Sequence, residues 1–263
     1  MPKFAANLSM MFTELDFLDR FAAARAAGFD AVEFLFPYAF EPDQIAGRLH
    51  RYGLELVLHN FPAGDWTAGE RGMACDPRRI GEFRDSVELA LEYAVDLGVR
   101  RLHCLSGKQH PAVPAERARA TLIDNLRFAA AAFAPHGIDV LIEPLNDVDN
   151  PGYFLTGSAQ AADIIAACGA PNLFLQYDIY HMTRMGEPVA QTLRERLPLI
   201  RHIQVADVPG RHEPGSGTID FPGLFGLLDE LGYDGWVGCE YTPRGATLEG
   251  LDWRERLAAT LSA

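Results

Sequence analysis

Ile138-Asp139-Val140-Leu141-Ile142-Glu143-Pro144-Leu145-Asn146 is an apolar, β-branched run that ends abruptly in a carboxylate. A continuous hydrophobic run, in place of alternation, is what a parallel strand covered on both faces requires. Pro144 then removes a backbone donor and ends the pairing just past the acid. A lone carboxylate at a buried strand tip is expensive and needs company. Three further strand ends supply it. Asp178 follows Leu173-Phe174-Leu175-Gln176-Tyr177, Gln204 follows Leu199-Ile200-Arg201-His202-Ile203, and Glu240 follows Trp236-Val237-Gly238-Cys239. The steps from 143 to 178, 178 to 204 and 204 to 240 are each close to one strand-plus-helix unit.

Outward from this stretch the same alternation continues in both directions. Upstream, strands are expected at Phe4–Leu8, Ala31–Phe36, Glu55–Asn60 and Arg101–Leu105. The intervening helices are Leu15–Ala27, Pro42–Tyr52, Arg78–Leu97 and Pro114–Pro135, the first three stopped by Gly28, Gly53 and Gly98. A long polar loop, Phe61–Pro77, carries Trp66 and Arg71, and loops of that length are usually functional or disordered. Downstream, Ser158 is read as the cap of a helix running to Cys168. Further helices are expected at Pro188–Leu197, Phe221–Leu231 and Leu251–Leu261. Strict alternation gives a parallel sheet, and eight units close a barrel. The expected fold is therefore α/β, a single (β/α)8 TIM barrel filling residues 1–263. An open doubly wound sheet is the runner-up, but Asn7-Leu8-Ser9-Met10 after the first strand is no G-x-G-x-x-G fingerprint.

Composition narrows the function. A chain of 263 residues with 48% hydrophobic content suits one large domain. The net charge of −13 argues against nucleic acid and anionic membranes as partners. Cys75, Cys104, Cys168 and Cys239 are scattered with no C-x-x-C pair, which reads as buried reduced thiols. Met1-Pro2-Lys3 leads straight into a strand and no apolar run reaches spanning length, so a soluble, cytoplasmic protein is expected. A homo-oligomer is compatible with the sequence, which does not set the oligomeric state.

In a TIM barrel the site lies at the C-terminal ends of the strands, where the four polar tips fall. Alternation turns Leu141 and Glu143, Gln204, and Gly238 and Glu240 to the axis, with Ile203, Val205, Val237 and Cys239 outside. Glu143, Asp178, Gln204 and Glu240 are all oxygen donors, which suits Mg²⁺ or Mn²⁺, or Ca²⁺, better than structural zinc. The alternative is that each acid pairs with an arginine over the barrel mouth. His59, Lys108, His181 and Arg211 lie at or just past strand ends and are the candidates for binding substrate. His202, one layer below Gln204, reads as a hydrogen-bonded core histidine, and Gly215-Ser216-Gly217 as a plain turn. A divalent ion with open positions polarises an α-hydroxycarbonyl compound. Glu143 and Glu240 on either side of it could remove a proton from one carbon and return it to the next, which is an isomerisation or epimerisation. A lyase on the same barrel and a non-catalytic sugar-acid-binding barrel are other readings. A DNA-repair endonuclease of this fold needs several zinc-binding histidines and a basic face, and neither is in evidence here.

The chain resembles the hydroxypyruvate isomerase family, within the xylose isomerase-like TIM-barrel superfamily. The resemblance runs nearly end to end. It includes Phe4-Ala5-Ala6-Asn7-Leu8-Ser9-Met10, His59-Asn60-Phe61-Pro62-Ala63-Gly64-Asp65-Trp66, Ala68-Gly69-Glu70-Arg71-Gly72, and Ile142-Glu143-Pro144-Leu145-Asn146. It continues through Gln176-Tyr177-Asp178-Ile179-Tyr180-His181-Met182 and Gly235-Trp236-Val237-Gly238-Cys239-Glu240-Tyr241. The resemblance implies that Glu143 and Glu240 are the proton donor and acceptor, and that Glu143, Asp178, Gln204 and Glu240 hold the metal. It further implies a small hydroxy-oxo acid substrate. Relatives acting on neutral sugars often have histidine at the place of Gln204. His181 and Arg211 resemble substrate-contacting residues of related ketose epimerases, which carry a glutamate where Asp149 stands.

Overall fold

The computed structural model describes residues 2–261, and its strands pair in the order they occur. They are β1 (Lys3–Asn7), β2 (Ala31–Glu33), β3 (Glu55–Asn60), β4 (Arg101–His103), β5 (Asp139–Ile142), β6 (Leu173–Asp178), β7 (Ile200–Val205) and β8 (Trp236–Cys239). All neighbours are parallel and β8 closes onto β1, giving the expected (β/α)8 barrel. Around it lie α1 (Phe17–Ala26), α2 (Pro42–Tyr52), α3 (Ile80–Leu97), α4 (Ala115–Phe133), α5 (Ser158–Cys168), α6 (Ile179–Arg184), α7 (Val189–Arg196), α8 (Phe221–Glu230) and α9 (Trp253–Leu261).

Local chemistry accounts for the helix ends. α2 opens with proline at its first position and a reciprocal Glu41/Gln44 capping box, and stops at Gly53 in the left-handed region. Ser158 departs from expectation: Gly157 is the cap residue, and the Ser158 hydroxyl donates to Glu187 from inside the first turn. β2 and β4 are shorter than expected. Past His103 the chain still donates once across the sheet, Cys104 N to Leu141 O, and then Ser106 N turns to the Tyr153 hydroxyl. The short α6, which carries His181, was not expected from the sequence.

Strand parity sets the layers. Val32, Leu102, Val140, Ile142, Leu175, Tyr177, Ile203, Val205, Val237 and Cys239 join the main core between barrel and helices. Ala5, Ala31, Val57, Leu58 and Leu141 form a separate plug inside the barrel. Above that plug is a polar layer. Glu33 receives the Asn7 amide (2.9 Å), the Gln204 amide (2.8 Å) and His202 Nε2 (2.6 Å). Gly238 makes room for it, since a Cβ there would overlap the Glu33 carboxylate. His202 is thus the bonded core histidine expected. All four cysteines are buried free thiols. No helix among the described residues is long and apolar enough to cross a membrane.

Candidate active site

The barrel's C-terminal rim delivers three acids to one place. Asp178 ends β6, while Glu143 and Glu240 each follow the last residue of their strands. One atom each of Glu143, Asp178, Glu240 and His181 lie within 4.8 Å of one another, and all four residues are buried. Burial, then Glu240 and Asp178, hold the Glu143 carboxyl well above the ordinary range. Burial pushes Glu240 up to about 8 and Asp178 up to about 6, with Arg211 opposing both rises. Glu143 Oε1 and Asp178 Oδ2 are buried without a hydrogen-bond partner. Orphaned acceptors beside mutually repelling acids are the environment a divalent cation relieves, so these residues fit one.

Gln204 pairs in register with Asp178, but its amide oxygen accepts from Gln176 at 2.6 Å while its nitrogen serves Glu33. That oxygen has a second lone pair, so it could take a cation while still accepting from Gln176. His181 is at the cluster, with Nε2 3.7 Å from Asp178 Oδ2, and burial holds the ring neutral. Arg211 donates to Glu240 Oε2, lies 3.7 Å from Asp178 Oδ2, and has a buried Nε without a partner. The arginine pairing weighed from the sequence therefore coexists with the acid cluster.

Two candidates do not line this cavity. His59 packs between Phe34 and Tyr38 with Nδ1 on its neighbour's carbonyl. Lys108 opens into an adjacent cleft with Arg78 and Arg79. The cavity itself, about 310 Å³, is lined by Glu143, His181 and Glu240 of the cluster together with Arg211, Met10, Trp66, Arg71, His103, Leu145 and Asp149 among others. Trp66 and Arg71 reach it because the long loop is ordered. Gly72 bridges to Ser106 so closely that a Cβ would overlap the Leu105 carbonyl. Arg71 then stacks 3.7 Å over the Trp66 ring.

Several contributors escaped the sequence reading. His103 Nδ1 lies 3.4 Å from Glu143 Oε2, and burial holds this ring down to about 3. Asn7 bridges Glu33 and Glu240. Both sit at inward-facing strand positions, so the parity that singled out Gln204 could have found them. Asp207 had no such signal. Its carboxylate accepts from the backbone N–H of Val208, Gly215, Gly217 and Ile219, and its carbonyl accepts from Arg211 N. The Gly215 and Gly217 amides thus serve an internal carboxylate while Ser216 N donates to the Glu213 carbonyl, and the loop is a turn as expected. This scaffold holds Arg211 at φ 55, a left-handed conformation that costs a non-glycine residue about 1–2 kcal/mol.

Barrel, rim acids and donor set together define the class. The chain belongs to the xylose isomerase-like TIM-barrel family, whose model matches residues 21–257. Within that family it is an isomerase. It is 50% identical over 253 residues to the 2-oxo-tetronate isomerase of Cupriavidus necator, covering 96% of this chain and 97% of that protein. It is 48% identical over 255 residues to the hydroxypyruvate isomerase of Escherichia coli K12, covering 97% and 99%. Among solved structures it superposes with TM-score 0.95 on a Brucella melitensis protein described as an AP endonuclease, family 2. That protein is 47% identical, with 97% of this chain and 99% of that chain covered.

Proposed function

We propose that this isomerase interconverts hydroxypyruvate and tartronate semialdehyde (2-hydroxy-3-oxopropanoate). The observation that carries the reading is the convergence of Glu143 and Glu240, two buried carboxyls with raised proton affinity, on one small cavity that also holds Arg211. Glu143, Asp178, Gln204 and Glu240 would hold Mg²⁺ or Mn²⁺, which polarises the substrate's carbonyl and hydroxyl oxygens when bound. One of the two glutamates takes a proton from the hydroxymethyl carbon, leaving an enediolate. The other returns a proton to the adjacent carbon, while the hydroxyl proton passes from one oxygen to the other. The product is an isomer and no co-reactant is consumed. A bound cation would draw the protons off both carboxyls, so the glutamate that takes the substrate's proton would need one oxygen free of the cation to act as base.

Arg211 is assigned to the substrate carboxylate. Three rim acids outnumber the charge on a divalent ion, so an anionic substrate needs a fixed cation, and the guanidinium keeps an unpartnered Nε–H for it. Apolar walls from Met10 and Leu145, with Trp66 at the rim, limit water around the reacting carbons. A second reading, isomerisation of a 2-oxo-tetronate one carbon longer, is supported by the 50% identical relative. The test is proton and carbon NMR of hydroxypyruvate and of 2-oxo-tetronates in heavy water with added Mg²⁺ or Mn²⁺. The expected result is isomer formation, with solvent deuterium appearing at the carbon that receives the proton whenever the glutamate exchanges before returning it. Failure to convert either acid, with no exchange of carbon-bound hydrogen, refutes the proposal.

A further inference from the structure

The surroundings of His181 determine which ring nitrogen carries its proton. Asn146, where the chain leaves β5, sends two donors to His181 Nδ1: its backbone N–H at 3.2 Å and its side-chain Nδ2 at 2.6 Å. The amide cannot be turned the other way. The backbone N–H of Asp149 donates to Asn146 Oδ1 at 2.8 Å, and Asn146 Nδ2 donates to Asp149 Oδ2 at 2.9 Å. A reversed amide would set donor against donor and oxygen against carboxylate. Asp149 is itself fixed by the Tyr180 hydroxyl at 2.8 Å, with Arg184 3.7 Å away. Turning the imidazole over would leave both Asn146 donors facing a carbon.

With two donors aimed at it, Nδ1 is an acceptor and bears no proton, so the proton sits on Nε2. That nitrogen faces the carboxylate cluster, 3.7 Å from Asp178 Oδ2. A nitrogen carrying hydrogen has no lone pair left for a cation. His181 therefore stands among the acids as a hydrogen-bond donor, although its distances alone would admit it as a ligand.

We propose that Asn146, braced by Asp149, is a positioning residue that holds His181 in the Nε2–H tautomer, so that His181 donates to the substrate's reacting oxygen and does not ligate the cation. The substrate contact rests on the isomerase reading above. The hold on the ring does not. A neutral donor at the oxygen where negative charge develops stabilises the enediolate without a charge to be reorganised.

The experiment is a long-range proton–nitrogen NMR spectrum of the metal-free protein, repeated with Mg²⁺. His181 is assigned among the 8 histidines by the signals lost in His181→Gln. The expected pattern, in both states, is a bare Nδ1 and a protonated Nε2. A protonated Nδ1, or loss of the Nε2 proton when Mg²⁺ is added, overturns the proposal. Asn146→Asp sets a carboxylate against Nδ1 and should draw a proton there. The same variant should lower kcat for hydroxypyruvate by about 10²-fold, the loss typical of one such donor, without weakening Mg²⁺ binding. An unchanged tautomer with unchanged kcat in Asn146→Asp overturns the positioning role. If the tautomer is as stated but no hydroxy-oxo acid turns over, the isomerase reading falls, and the substrate contact with it.

Discussion

Raising the pH from 7 to 8 should destabilise the metal-free protein, and Mg²⁺ should remove the loss. Burial and the neighbouring acids hold Glu143 well above its ordinary 4.5, and burial pushes Glu240 up to about 8. Between pH 7 and 8 the native state therefore keeps a proton on Glu240, falling from about 0.9 to about 0.5, that the unfolded chain has released; Glu143 adds in the same direction, and stability falls as pH rises. Below pH 7 the histidines act in the opposite sense. Burial holds His59 at about 4, His103 at about 3 and His181 well below 6.5, so the unfolded chain takes up their protons below about 6.5 and their contribution to stability grows with pH there, against that of the carboxyls. Above pH 7 that opposition is spent. At about 1.4 kcal/mol per proton per pH unit, Glu240 alone costs about 1 kcal/mol from pH 7 to 8. At about 2–4 °C per kcal/mol for a chain of this size, Tm should drop by about 2–4 °C from Glu240, with Glu143 adding to the fall. A cation at a hundred times its Kd adds about 2.7 kcal/mol. Because its ligands must shed protons to bind it, the gain should be larger at pH 8 than at pH 6. Thermal melts at pH 6, 7 and 8, with chelator and with Mg²⁺, measure all of this. A metal-free Tm that is flat or rising between pH 7 and 8, or a larger Mg²⁺ shift at pH 6, refutes the reasoning.

Glu143→Gln and Glu240→Gln should each lower turnover of hydroxypyruvate by about 10²–10⁴-fold. The metal-free variants should melt above the parent at pH 8, which separates lost chemistry from lost folding. Arg211→Ala should raise KM for hydroxypyruvate more than for an uncharged hydroxyaldehyde of similar size, with Arg211→Lys recovering only part, since charge returns without the fork. Lys108→Ala, outside the cavity, should raise KM less than Arg211→Ala does in the same steady-state assay. Asp207→Ala strands backbone donors that its carboxylate now collects, and should cost about 1–3 kcal/mol in denaturant melts while raising KM through Arg211.

Strand 138–146 shows how far the chain alone can be read. Alternation along a strand is a property of the local backbone, and it placed Leu141, Glu143, His202, Gln204, Gly238 and Glu240 on the axial side before any contact was known. The glycine stops at Gly53 and Gly98 are equally local. Applied to β1, β2, β4 and β6, the same rule would have brought in Asn7, Glu33, His103 and Gln176, none of which stood out as a charge at a strand end. Parity cannot say how far a side chain reaches or what meets it. His59, Lys108 and His181 all lie near strand ends, yet His59 is stacked on Phe34, Lys108 opens into a separate cleft, and only His181 joins the acids. The loops are further from the sequence still. Trp66 and Arg71 come to the rim through the approach of Gly72 to Leu105, and Arg211 through a carboxylate that binds amides eight to twelve residues away. The raised proton affinities of Glu143 and Glu240 come from burial and from distances between residues about a hundred positions apart. Such distances exist only once the barrel has closed, so the site's charge state was decided by the tertiary structure, and its membership largely by the pattern along the chain.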